Sequence, residues 1–260
     1  MIRNSFSILQ GVGDKVERRL WANGIRSWDD FLATDEISFF GLARKRLYDE
    51  FLQEAALHLD QEDEQFFAKA LRGKEHWRLF PSFRKYAVAL DIESNGFMPA
   101  QGGYATIVGL YDGTEYKVLV KDRDLTRENI EQELSRYKYL ITFFGSGYDI
   151  PFLNQTLGVK FNMPHFDLSF AGKRAGLQGG LKKLEDQFGI QREDAVKGLN
   201  GYDAVKLWKA AKRGDAGALD LLITYNRCDT VNLFVLAEQL YGMLRDRSGI
   251  AAVRKAACAG

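Results

Sequence analysis

Cysteine is nearly absent from this 260-residue chain: Cys228 and Cys258 are the only two. So few exclude a disulfide framework and any zinc site of the usual cysteine spacing, and they point to a reducing, cytoplasmic setting. Long apolar runs are missing too. No segment approaches the roughly 20 residues that span a bilayer. The opening MIRNSFSILQGVG has no apolar signal core, so no membrane partner is expected. The third absence is charge of one sign. A formal net charge of +1 means that any nucleic-acid surface must come from local placement of Lys and Arg. What remains is an ordinary globular composition, 46% hydrophobic and 27% charged. The length suits one large domain, or a medium domain with a small one.

Residues 1–75 read as helical. In DKVERRLWANG, Asp14 and Glu17 have capping-box spacing, Val16, Leu20 and Trp21 share a helical face, and Gly24 ends the helix. A second helix begins near Ser27, and FFGLARKRLYDEFLQEAALHL is a long amphipathic pattern. Gly11–Lys15 and Gly41–Lys45 form a weak echo, 30 residues apart. LDQEDEQFFAKALRGKEHW is polar and reads as an exposed helix or linker. From Trp77 the pattern changes. Residues 86–91, 104–111 and 116–120 look like strands of an antiparallel meander. Helix at 126–137, strand at 139–143, helix at 150–157 and a short strand at 165–169 follow. Residues 181–188, 202–212 and 216–240 read as helices. This order predicts a mixed α/β or α+β sheet flanked by helices, in a domain spanning 76–248, with a frayed tail at 249–260.

Four carboxylates stand out. Asp91 and Glu93 end the apolar run of YAVALDIES, and in a strand two residues apart point to one face. Burying acids without partners is costly, and a divalent cation is the usual partner. Asp60 and Glu62 share the same Asp-x-Glu spacing in a polar context and read as solvated surface. Asp149 follows Gly145-Ser146-Gly147 and precedes Pro151, so it suits a helix cap. Capping and metal binding are not exclusive. Tyr225 and Asp229, four apart in LDLLITYNRCDTVNL, share a helix face, the helix being argued from Leu222, Val231 and Val235. A packed phenol and a surface aspartate would look the same.

Taken together, ALDIESNG, ITFFGSGYDIPFL and YNRCDTVNL, in that order, resemble the three motifs of the DEDDy-type, ribonuclease-H-like 3′–5′ exonucleases, and the chain is most similar to their YprB-like group. HFDLSF and GGLKKLEDQFGI resemble the segments joining the second and third motifs. The resemblance covers about residues 86–241. It implies a ribonuclease-H-like exonuclease fold with a mixed central sheet. It also implies two Mg²⁺ or Mn²⁺ ions held by Asp91, Glu93, Asp149 and Asp229, with Tyr225 orienting the attacking water. The expected reaction is hydrolysis of nucleic-acid phosphodiesters from single-stranded 3′ ends, DNA foremost, releasing nucleoside 5′-monophosphates. An RNA-trimming exonuclease or a noncatalytic binding scaffold are the alternatives. One departure is visible. Phe144 stands where the family often has asparagine. His165 and Asp167 read as structural residues at a strand end, with metal binding or acid–base chemistry as the alternative, while Lys173, Arg174, Lys182 and Lys183 are candidates for phosphate contact or a solvated face. Finally, LQGVGDKVERRLW resembles a helix–hairpin–helix motif, whose turn at Gly11 and Gly13 would bind a DNA phosphate through backbone N–H groups, aided by Lys15, Arg18 and Arg19. The same small helical region could instead contact a protein partner.

Overall fold

The computed structural model describes residues 1–250. Cys258 and most of the expected tail lie outside them. A 3-10 turn at Ile2–Asn4 precedes α1 (Asp14–Ala22), α2 (Trp28–Leu32), α3 (Leu42–Asp60) and α4 (Glu64–Ala70). The short α5 (Phe80–Phe83) follows a 3-10 stretch at Gly73–Leu79. Then come β1 (Ala87–Ser94), β2 (Ala105–Tyr111), β3 (Tyr116–Val120), α6 (Arg127–Leu134), β4 (Tyr139–Thr142), α7 (Asp149–Leu157), β5 (His165–Asp167), α8 (Leu168–Arg174), α9 (Leu181–Phe188), α10 (Gly201–Ala211) and α11 (Ala216–Ser248).

Local chemistry sets most of these boundaries. Ser27 and Asp30 form a full capping box on α2, and Asn200 and Asp203 form one on α10. At the end of α1, Gly24 turns left-handed at φ +86°, and the Ile25 N–H donates back to the Leu20 carbonyl. Asp14 and Glu17 do not make the expected capping box. Gly13 is the cap, and Glu17 is buried. Its carboxylate accepts from the Phe6 and Ser7 N–H groups and from Arg78, whose Nη2 lies 2.9 Å away. Arg78 also donates to the buried Glu75 at 2.7 Å. The polar stretch expected to be an exposed linker therefore turns inward, with Phe67, Glu75 and Trp77 buried. Ion pairing makes the burial of its charges tolerable. Asp60 is exposed, but Glu62 accepts from the Tyr86 hydroxyl and pairs with Lys85 at the mouth of β1. The echo between Gly11 and Gly41 is not a structural repeat: the helix caps are Gly13 and Gly41, and Lys45 is buried where Lys15 is exposed.

The five strands run in the order β3-β2-β1-β4-β5. β1–β2–β3 is the antiparallel meander, and β4 and β5 lie parallel to β1 and β4 respectively. This mixed sheet, flanked by helices, is the expected architecture. β1 is central and alternates strictly. Val88, Leu90 and Ile92 face the side covered by α6 and α7, with Ile130 and Phe152. Ala87 and Ala89 face the other side, with Leu233 and Leu236 of α11. Alanine at those two positions lets α11 lie close to the sheet, and the same face continues into Asp91 and Glu93. One apolar cluster runs from Ile2 and Phe31 through Trp77 and Phe80 to Tyr139 and Leu240. Val235, used above to argue for the helix, instead turns to solvent at 43% exposure. The helix persists through the apolar positions on its other faces.

Candidate active site

The parallel strands β1, β4 and β5 end on one edge of the sheet, and the acids gather there. Asp91 and Glu93 come from β1, which shifts register against β2 between Glu93 and Ser94. Asp229 comes from the middle of α11. One carboxylate oxygen from each of these three residues lies within 4.8 Å of the others. Glu93 and Asp229 are buried and Asp91 is half-buried. Burial and the adjoining Asp229 and Glu93 carboxylates push Asp91 well above the ordinary aspartate range. Burial, reinforced by Asp229, raises Glu93 in the same way. Burial raises Asp229 too, against the opposing pull of Arg192. Three acids forced together at this cost form an all-oxygen donor set that suits a hard divalent cation.

Asp149 is placed differently. It is the first residue of α7 rather than its cap, a position that falls to Tyr148. Its Oδ1 accepts the Ile92 N–H at 3.2 Å, so it is anchored between Asp91 and Glu93 along the chain but is not one of the three clustered acids. Burial pushes its carboxyl up to about 7.

Tyr225 lies one turn before Asp229 and is buried beside the acids, which together with burial drive its phenol well above its usual range. Lys182 Nζ donates to its hydroxyl at 3.3 Å and sits 4.9 Å from the ring centroid. The acids, Tyr148, Tyr225, and Gly201, Tyr202 and Val205 of α10 line an open cleft of about 460 Å³.

Several residues that sequence reasoning passed over hold this arrangement. Asn226, fully buried, donates through Nδ2 to Asp91 Oδ2 at 2.8 Å. Its Oδ1 accepts from the Tyr116 hydroxyl at 2.8 Å. Three residues before Asp229, it shares that helix face, which was a readable signal. Gly109 pairs with Asp91 across β1 and β2. A Cβ there would stand 2.0 Å from Asn226 Oδ1 and 2.6 Å from Thr230 Oγ1. A lone glycine inside an apolar strand was the available clue to such a close approach. Arg192 had no sequence signal. Its Nε and Nη2 donate to Glu185 at 2.6 and 2.9 Å, and Nη2 also makes an ion pair with Asp229 Oδ1. That oxygen is buried and has no hydrogen bond.

His165 and Asp167 are built into the scaffold. Asp167 accepts the N–H groups of Phe144, Ser146 and Ser169 at 2.9, 3.0 and 3.1 Å. His165 Nε2 shares a 2.8 Å hydrogen bond with Thr142, and burial lowers its ring to about 4. Away from the cleft, Gly11 is left-handed at φ +80° and Gly13 begins α1 without a side-chain cap. Lys15, Arg18 and Arg19 are exposed. Arg18 reaches the Arg247 carbonyl and Arg19 stacks on Phe39 at 4.1 Å. Among the described residues, the 3-10 turn at Ile2–Asn4 is the helical element before this loop. None of the helices among the described residues is long and apolar enough to cross a membrane.

Comparison with known proteins agrees with this geometry. The RNase_H_2 family model, described as RNase_H superfamily, matches residues 88–241, which includes the five strands except the first residue of β1, Ala87, and the three clustered acids. The chain belongs to the RNase H superfamily. That membership supports a metal-dependent nuclease acting on nucleic acid. No curated protein matches the chain.

Proposed function

We propose that this member of the RNase H superfamily is a 3′–5′ exonuclease of the DEDDy type, acting on single-stranded 3′ ends, with DNA as its main substrate and nucleoside 5′-monophosphates as products. The observation that carries the reading is the convergence of Asp91, Glu93 and Asp229 within 4.8 Å with Tyr225 one helical turn before Asp229. Mg²⁺ or Mn²⁺, two ions at full occupancy, would supply Lewis acidity and charge neutralisation for displacement at phosphorus. Asp91, Glu93 and Asp229 would hold them, with Asp149 contributing through water.

The chain's own groups divide the remaining work. Asn226 fixes the Asp91 carboxylate through its Nδ2 hydrogen bond, and Tyr116 fixes Asn226 in turn. Arg192 aligns Asp229 and keeps its charge balanced. Tyr225 stays protonated, because burial and the neighbouring acids raise its pKa. It therefore orients a water by hydrogen bonding and does not remove a proton from it. Lys182, beside Tyr225, adds a cation for a phosphate oxygen. At the N-terminus, the uncapped start of α1 at Gly11 and Gly13, with Lys15, Arg18 and Arg19, offers a sequence-independent phosphate contact.

End-labelled single-stranded and duplex DNA and RNA, incubated with Mg²⁺ or Mn²⁺, test the reading. A ladder shortening from the 3′ end, abolished by Asp91→Asn, is the expected result. Absence of metal-dependent cleavage on every substrate would refute it. Faster trimming of RNA than DNA would move the assignment to RNA processing. For the N-terminus, Lys15→Ala with Arg18→Ala should reduce the salt dependence of DNA binding by about one to two in log–log slope. An unchanged slope would assign that surface to a protein partner.

A further inference from the structure

Phe144 has a backbone conformation that its side chain disfavours. Its φ is +64°, a region that asparagine tolerates and a bulky residue rarely enters. The turn around it leaves no slack. Its N–H is held by Asp167, and its carbonyl accepts from Gly147 and Tyr148 at 3.0 and 3.1 Å. A Cβ on Gly147 would come within 2.4 Å of the Phe144 ring. The strained residue nevertheless presents its ring to water, at 43% exposure. It pairs there with Phe170 of α8, 47% exposed, at a centroid separation of 6.1 Å. Lys173 Nζ lies 5.3 Å from the Phe170 ring centroid, and it has no ion-pair partner among the described residues. Strain of this kind persists only where the surrounding structure enforces it, and it clusters at functional sites.

The surroundings say what the pair faces. Phe170 and Lys173 line a cavity of about 500 Å³ with Ser146, His165 and Trp77. Tyr148, two residues beyond Ser146, lines the acidic cleft. The Ser146–Tyr148 part of this turn thus leads from the cavity to the cleft. An elongated ligand whose end lies in the cleft crosses this turn to reach Phe170.

We infer that Phe144 and Phe170, with Lys173, form a stacking platform for single-stranded nucleic acid, holding bases a few nucleotides away from the end that occupies the acidic cleft. Exposed rings beside a cation that has no ion pair among the described residues match what a single strand offers: base faces and phosphates. Base pairing would hide those faces, so the platform selects against duplex. Naming the ligand rests on the nuclease reading of the cleft, and the test separates the two.

The probes are 5′-fluorescein oligothymidylate of roughly 12 nucleotides, within the range of single-strand site sizes, and a labelled thymidine dinucleotide too short to cross the turn. Binding is read by fluorescence anisotropy in EDTA with the full-length protein. Phe144→Asn keeps the left-handed turn while removing the ring, and Phe170→Ala removes the other. Each should weaken the long probe about tenfold, the usual cost of one lost base stack. The dinucleotide should bind as it does to wild type, and Phe170→Trp should retain affinity for the long probe. Unchanged long-probe affinity in both variants overturns the platform, and if wild type still cleaves single strands the nuclease reading survives. Equal weakening of the dinucleotide also overturns it, because the effect would then act through the turn on the cleft. Length-dependent loss in a protein that cleaves nothing keeps the platform and removes the nuclease.

Discussion

Asp149→Asn should flatten the pH dependence of stability in the metal-free protein. The Asp149 carboxyl titrates near 7 in the folded chain against an ordinary 3.8, because it is buried. Folding therefore binds a proton to this group between those pH values. Stability is highest below pH 4, falls as pH rises, and the loss is complete above pH 7. Three pH units correspond to about 4 kcal/mol. The amide that replaces the carboxyl would carry no charge, and its oxygen could still accept the Ile92 N–H. Asp91, Glu93 and Asp229 are also raised, so the variant keeps some slope, and the difference between the two curves reports Asp149 together with its effect on Asp91 and Glu93. Urea unfolding in EDTA, followed by tryptophan fluorescence from pH 4 to 8, measures it. The variant should gain on wild type by about 4 kcal/mol across that range. Adding Mg²⁺ at pH 8 should stabilise wild type by about 3 kcal/mol at a hundredfold excess over its dissociation constant. Parallel curves, or a wild type that gains stability with rising pH relative to the variant, would refute the reasoning.

Other perturbations test the supporting contacts. Gly109→Ala drives a Cβ to 2.0 Å from Asn226 Oδ1, and should cost about 1–3 kcal/mol in urea unfolding through overpacking, with loss of cleavage. Asn226→Ala frees Asp91 and Tyr116 together, so Mg²⁺ affinity by calorimetry should fall about 10- to 100-fold. Tyr225→Phe deletes only a hydroxyl. Cleavage should drop about 100-fold through lost positioning of the water while the unfolding midpoint stays close to wild type. Arg78→Ala leaves Glu17 and Glu75 buried without their shared partner, and should destabilise the chain by about 3–5 kcal/mol, whereas exposed pairs such as Arg3 with Asp60 should matter little.

The parts legible in the sequence were those set by local periodicity and short spacings. YAVALDIES alternates, so the shared face of Asp91 and Glu93 followed from the pleat alone. The helical spacing of Tyr225 and Asp229 followed equally from 3.6 residues per turn, and α9 spans the residues that its pattern indicated. Ser27 capped α2 as its chemistry required. Charge gave a poorer guide. LDQEDEQFFAKALRGKEHW looked solvated because its acids and bases are visible in sequence while their distant partners are not: Arg174, which donates to Glu75, lies 99 residues on.

What the sequence by itself determined was the set of local frames: which strand carries two acids on one face, which helix carries the third, and the order of sheet and helices. Tertiary structure alone decided how those frames meet. Ala87, Ala89 and Gly109 leave room for α11 to approach the sheet, and that approach brings Asp229 to Asp91 and Glu93. Asn226 reaches Asp91 and Arg192 reaches Asp229 only through tertiary packing, since a hydrogen bond or ion pair across 135 or 37 residues has no local spacing to announce it. Phe144 is the reverse case. Its identity was plain, but its left-handed backbone and its ring partner 26 residues on exist only once Asp167 has pinned the turn between cleft and cavity.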